Sequence, residues 1–129
     1  REQPLWVLHR EGAQADRRAA LVSAGARPLA VPADADGRLD IAAALDLLAR
    51  EGLTRLLCEG GGQLAASLLG AGRADEIALF TAGRAIGADG MTSMAALGLK
   101  RLADAPRFAR TGCEILGGDV LTRWRRLSD

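Results

Sequence analysis

Three stretches of helical periodicity in this chain stop at glycines, and each follows a short apolar run. The runs are Leu5-Trp6-Val7-Leu8, Pro28-Leu29-Ala30-Val31-Pro32 and residues 54–58. The helical stretches cover 13–24, stopped by Gly25; 41–50, stopped by Gly52; and 63–69, stopped by Gly70 and Gly72. A glycine just past a helix adopts the left-handed conformation that closes the last turn. A short apolar run bounded by proline, glycine or charge is the pattern of a buried strand. Asp40 stands where an N-cap for the second helix belongs, and Ala33-Asp34-Ala35-Asp36-Gly37 reads as a turn.

After the third helix the pattern changes. Residues 76–81 form a fourth apolar strand, and 83–94, mostly Gly, Ala, Asp and Ser, read as a loop. Residues 107–111, 113–116 and 120–124 read as closing strands, the last two joined by a hairpin turn at Gly117-Gly118-Asp119. Strand and helix in alternation argue for a largely parallel sheet covered by helices, with the terminal hairpin adding antiparallel strands at one edge. The expected class is α/β, one domain or part of one.

The 129 residues suffice for one domain with a core, and that core must be aliphatic, since there is no tyrosine and only two phenylalanines and two tryptophans. A net charge of +1 gives no reason to expect nucleic acid or an anionic membrane as a partner. The one basic excess, Arg123, Arg125 and Arg126, reads as a solvated strand end, with an anion contact as the alternative. No apolar run approaches the roughly 18 residues of a membrane span, and no signal peptide is visible. Cys58 and Cys113 form no CxxC pair, and with a single histidine a zinc site of usual spacing is not expected. The plain expectation is a cytoplasmic protein with reduced thiols and no metal. The first residue is Arg1, so a processed protein or a piece of a longer one is expected.

Function turns on Leu56-Leu57-Cys58-Glu59-Gly60-Gly61-Gly62-Gln63-Leu64-Ala65-Ala66-Ser67. A strand that ends in glycines and opens a helix can hold a phosphate, because backbone N–H groups are bare there and the helix dipole favours negative charge. Two further accounts stand beside that one. The glycines serve a tight strand-to-helix turn and nothing else. Or Gly60-Gly61-Gly62-Gln63-Leu64-Ala65, which satisfies G-x-G-x-x-A, is a dinucleotide fingerprint. That fingerprint wants an acid about 20 residues on, at the end of the next strand, whereas Asp75 and Glu76 fall at its beginning. Among other residues, His9 is expected to face solvent at a strand end, and Cys58 to be a small buried residue.

The segment has a longer pattern around it. Glu59-Gly60-Gly61-x-x-Leu64-Ala65, then Leu68-Leu69-x-Ala71-Gly72-x-x-Asp75-Glu76, x-Leu79-Phe80 and Gly87, resembles the reductase domain of bacterial riboflavin-biosynthesis deaminase/reductases, the RibD C-terminal domain family. The closing Gly98-Leu99-x-Arg101-Leu102-Ala103-Asp104-Ala105-Pro106-x-Phe108 agrees. The resemblance implies a dihydrofolate reductase-like fold and NADPH-dependent reduction of a phosphoribosylamino-pyrimidine, 5-amino-6-(5-phosphoribosylamino)uracil, to its ribitylamino form. It implies an open ribose whose C1 is presented as an imine, with the nicotinamide stacked within hydride reach. It makes Glu59 a substrate contact, with capping of the following helix as the plain alternative. It assigns Gly61, Gly62, Gln63, Leu64, Ala65, Ala66 and Ser67 to one wall of the NADPH cleft, names no catalytic side chain, and implies a homodimer.

Two departures from the family pattern carry expectations of their own. Gly83 stands where the family usually has proline, so the loop through Ala85-Ile86-Gly87 is expected to be more flexible. The chain is shorter than the family's reductase domain and corresponds to its C-terminal portion, so an exposed sheet edge and little activity in isolation are expected. A non-catalytic nucleotide- or phosphate-binding α/β module is the alternative from a different class.

Overall fold

The computed structural model describes residues 3–128. The chain forms two compact units, Arg1–Leu57 and Cys58–Asp129.

In the first unit β1 (Trp6–Arg10), α1 (Ala15–Ser23), β2 (Arg27–Val31) and α2 (Ile41–Arg50) follow in order. β1 and β2 pair in parallel, with Trp6 opposite Arg27 and Arg10 opposite Val31. Both helices pack on β2. Its Leu29 and Val31 are buried while Ala30 between them is exposed, the alternation of a strand with one covered face. Burying each such side chain contributes about 1.5–3 kcal/mol. Asp40 caps α2 by accepting the Ala43 N–H at 3.0 Å, and Ala44 is the buried residue of that helix. The helices end as expected: Gly25 and Gly52 take φ of 81° and 92°, and the next residues, Ala26 and Leu53, donate back to Leu21 and Leu48. Arg27 donates to both Glu51 carboxylate oxygens, at 2.7 and 2.8 Å, with its guanidinium 5.2 Å above the Trp6 ring.

Residues 54–58 do not form the expected third strand. No strand pairs with them among the described residues, and Leu56 and Leu57 are 52% and 83% exposed. A ladder needs a neighbour in register, and an apolar run without one stays in solvent. Parallel pairing is accordingly confined to β1 and β2 among the described residues. Cys58, expected to be buried, is exposed for the same reason.

The second unit holds α3 (Gly62–Gly70), β3 (Glu76–Ala82), β4 (Phe108–Leu116) and β5 (Asp119–Arg126). The strands form an antiparallel sheet in the order β3-β5-β4. The two strands expected over 107–116 are one, interrupted by a bulge between Arg110 and Gly112. Gly117, with φ of 64°, makes the turn into β5. Between β3 and β4 the chain runs as the expected loop, broken only by short 3-10 turns at Gly87–Asp89 and Leu102–Asp104. Arg101 and Asp104 bracket the second turn with two hydrogen bonds, and the carboxylate raises the Arg101 pKa further above neutrality.

The C-terminal arginines are partnered rather than simply solvated. On one face of the sheet Arg123 pairs with Glu114 and Arg125 with Glu76. Arg126 falls on the other face, its guanidinium against Gly72 at the C-terminal end of α3, where a cation offsets the dipole. Among the described residues of this unit, Ala66, Leu69 and Leu121 are the buried apolar ones.

Candidate functional site

The residues singled out by sequence lie together at the start of α3. Gly61 is its N-cap, with φ −65° and ψ 175°, and no side chain caps the helix. The first turn closes on Gly61, whose carbonyl accepts from Leu64 and Ala65 at 3.0 and 3.2 Å. This leaves the N–H groups of Gly62 and Gln63 at the positive end of the helix without an intrahelical acceptor, as at any helix start. Glu59 is exposed, has no hydrogen bond or ion pair among the described residues, and does not cap α3. It stands two residues before the N-cap Gly61, free to meet a polar group.

The three glycines have different surroundings. A Cβ on Gly61 would meet nothing within 4 Å, so its outer side is open. A Cβ on Gly60 would stand 2.7 Å from Cδ2 of Leu64, the movable end of a side chain. A Cβ on Gly62 would stand 2.6 Å from the Thr92 carbonyl oxygen and 3.2 Å from the Ala95 nitrogen. The missing side chain at 62 therefore accommodates the loop backbone, and only at 61 is space left for a ligand. Sequence reasoning did not single out residues 92–95. No local pattern marks them, since their placement depends on a contact some thirty residues away.

Along α3, Gln63, Leu64 and Ser67 are exposed, Ala65 is half-buried, and Ala66 is turned into the packing face with Leu69. The Ser67 hydroxyl donates to the Gln63 carbonyl at 3.0 Å. The exposed side of the first two turns thus carries Gln63 and Ser67 with Leu64 beside them, and Ala66 lies away from it.

Other candidates fall elsewhere. His9 is half-buried in β1, its Nδ1 2.8 Å from the Arg10 carbonyl oxygen. A groove of about 370 Å³ lies at the far end of α3, against Gly72, Arg107 and Arg126. Among the described residues no group of His, Cys, Asp or Glu could hold a metal ion, and no helix is long and apolar enough to cross a membrane.

The family model of the RibD C-terminal domain matches residues 1–122. The riboflavin biosynthesis protein RibD of Escherichia coli (strain K12) is 33% identical over 94 residues, which cover 73% of this chain and 25% of that protein. The chain therefore spans about a quarter of that curated relative's length. A structure of Acinetobacter baumannii RibD superposes with a TM-score of 0.71 at 18% identity, over 95% of this chain and 37% of that one. A pyrimidine reductase-like protein from Corynebacterium diphtheriae superposes with a TM-score of 0.69 at 20% identity, over 96% of this chain and 50% of that one. The α/β, dihydrofolate reductase-like fold anticipated from the sequence is shared with these structures, and the chain belongs to the RibD C-terminal domain family.

Proposed function

We propose that this chain is the cofactor-binding part of a reductase that acts in riboflavin biosynthesis on a phosphoribosylamino-pyrimidine with NADPH. Membership of the RibD C-terminal domain family over residues 1–122 carries the proposal. The local chemistry is compatible with it. The bare N–H groups at the start of α3 and the open side of Gly61 suit a phosphate of the cofactor. The exposed polar side formed by Gln63 and Ser67 continues that surface along the helix.

Reduction at C1 of the opened ribose, an imine carbon, needs a hydride at carbon and a proton at nitrogen. Bound NADPH supplies the hydride. The chain's own residues bind and orient: the start of α3 fixes the phosphates, and Glu59 accepts hydrogen bonds from ring or sugar donors of the substrate. Holding the two reactants in register is the larger share of the work in such a transfer. No side chain here is assigned the proton. Homodimerisation and a cytoplasmic location belong to the same proposal.

The test is titration of the chain with NADPH, followed by nicotinamide fluorescence, for the wild type and Gly61→Val. Gly61 has an ordinary negative φ and open surroundings, so valine there leaves the fold intact and fills the space offered to the phosphate. Loss of binding in the variant supports the site; equal binding by both removes it. Binding without turnover of the pyrimidine would favour a non-catalytic nucleotide-binding module instead.

A further inference from the structure

We propose that Gly62 is a positioning residue: by carrying no side chain it seats segment 92–95 on the first turn of α3, beside the open helix N-terminus at Gly61. The inference rests on the reading of that N-terminus as the NADPH phosphate site.

Three backbone atoms crowd the place where a Cβ at 62 would stand: the Thr92 oxygen at 2.6 Å, the Ala95 nitrogen at 3.2 Å and the Met94 carbonyl carbon at 3.3 Å. Because these are backbone atoms, no change of rotamer relieves the contact, and the segment itself must move. The contact is also bonded, since the Ala95 N–H donates to the Gly62 carbonyl at 3.0 Å. This hydrogen bond joins the first residue of α3 to a stretch that otherwise belongs to the connection between β3 and β4. Thr92 and Ser93 are both exposed, so the seated segment offers two hydroxyl groups beside the helix N-terminus.

The composition of the loop fits this role. Residues 92–98 are Thr-Ser-Met-Ala-Ala-Leu-Gly, with no charge to repel an anion. Gly62 itself has a helical φ, not a left-handed one. Alanine at 62 is therefore no strain to α3, and alanine has the higher helix propensity. A purely structural glycine would be read from a fall in stability. A positioning glycine is read from displacement of the segment and weaker cofactor binding at nearly unchanged stability.

The experiment compares the wild type, Gly62→Ala and Gly70→Ala by amide exchange at Ala95, thermal unfolding and NADPH titration. Gly70→Ala adds the same methyl at the other end of α3, where nothing lies within 4 Å. In Gly62→Ala the Ala95 amide is expected to lose its protection and the NADPH dissociation constant to rise about tenfold or more, on the scale of a lost hydrogen bond to a charged group. Gly70→Ala is expected to change neither. Retained protection at Ala95 in Gly62→Ala overturns the inference, as does lost protection with unchanged affinity. Absence of NADPH binding by the wild type overturns the cofactor reading itself, and the positioning role with it. Binding by the wild type and equal binding by Gly62→Ala overturns the positioning role alone.

Discussion

The Arg126 guanidinium occupies the place a side chain at Gly72 would need: a Cβ there would stand 2.9 Å from one terminal nitrogen and 3.1 Å from the other. Gly72 also holds φ of 67° and donates to Leu69, while Arg73 donates to Leu68, so the last turn of α3 closes on it. The backbone N–H of Arg126 in turn donates to the Asp75 carbonyl at 2.8 Å. The end of β5 is thus fastened to the turn between α3 and β3 by both its backbone and its side chain. Gly72→Ala should be destabilising twice over, by roughly 1–2 kcal/mol for the left-handed backbone and by about 0.3–1 kcal/mol for displacing the cation from the helix end. Gly98→Ala, with φ of 68° and open surroundings, should show only the first effect. Urea unfolding followed at Trp124 measures both, and equal losses would mean that the Arg126 contact contributes nothing.

Asp40→Ala should destabilise the first unit by about 1 kcal/mol, since the Asp40 carboxylate satisfies one of the free N–H groups of α2. Asp40→Asn, which keeps an acceptor, should recover most of that. Urea unfolding followed at Trp6, beside β2, is the measurement. Equal stability of the alanine variant and the wild type would show the cap to be idle.

Asp40 was legible in the sequence, as were Gly25, Gly52 and Gly72, because a cap or a helix stop is decided by the few residues beside it. The start of α3 was legible for the same reason, and so was the hairpin turn at Gly117. Residues 54–58 were not. Their composition is that of a buried strand, but a strand exists only through its neighbour, and composition does not report a neighbour. The contact of Gly62 with the Thr92 carbonyl was not legible either, because it joins residues thirty positions apart. It follows that the amides of residues 55–58, outside any ladder, should exchange at close to the unprotected rate. Those of β5, bonded on both sides, should be among the slowest of the second unit. Hydrogen exchange read by mass spectrometry decides this, and strong protection at 55–58 would mean that the segment is paired in solution.

Glu59→Gln tests the proposed substrate contact with little risk to the fold, because the side chain is exposed and without a partner among the described residues. The unfolding midpoint should not move. In the proposed reduction the KM for the pyrimidine should rise on the order of 10- to 100-fold, the effect of weakening a hydrogen bond to a charged group. NADPH affinity should be unchanged. A shift in NADPH affinity with no change for the pyrimidine would move Glu59 from the substrate side to the cofactor side.

The proposed homodimer would need exposed apolar surface, and the antiparallel sheet offers some at one end. Phe80 and Ile115 are 64% and 81% exposed, and both stand at the hairpin end of the sheet, where Phe80 faces Leu121 across β3 and β5 and Ile115 faces Val120 across β4 and β5. Their alternation puts them on opposite faces of that end, so one interface can bury one face and leave the other. Covering a phenylalanine contributes about 1.5–3 kcal/mol, and a two-fold axis counts it once in each copy. Phe80→Lys and Ile115→Lys should therefore differ. The one on the buried face should weaken dimerisation about a hundredfold or more, by the usual conversion of free energy to affinity, and the other should leave it unchanged. Sedimentation velocity across a concentration series reads both. A wild type that stays monomeric throughout, or two variants that both sediment as it does, would exclude a dimer through this end of the sheet.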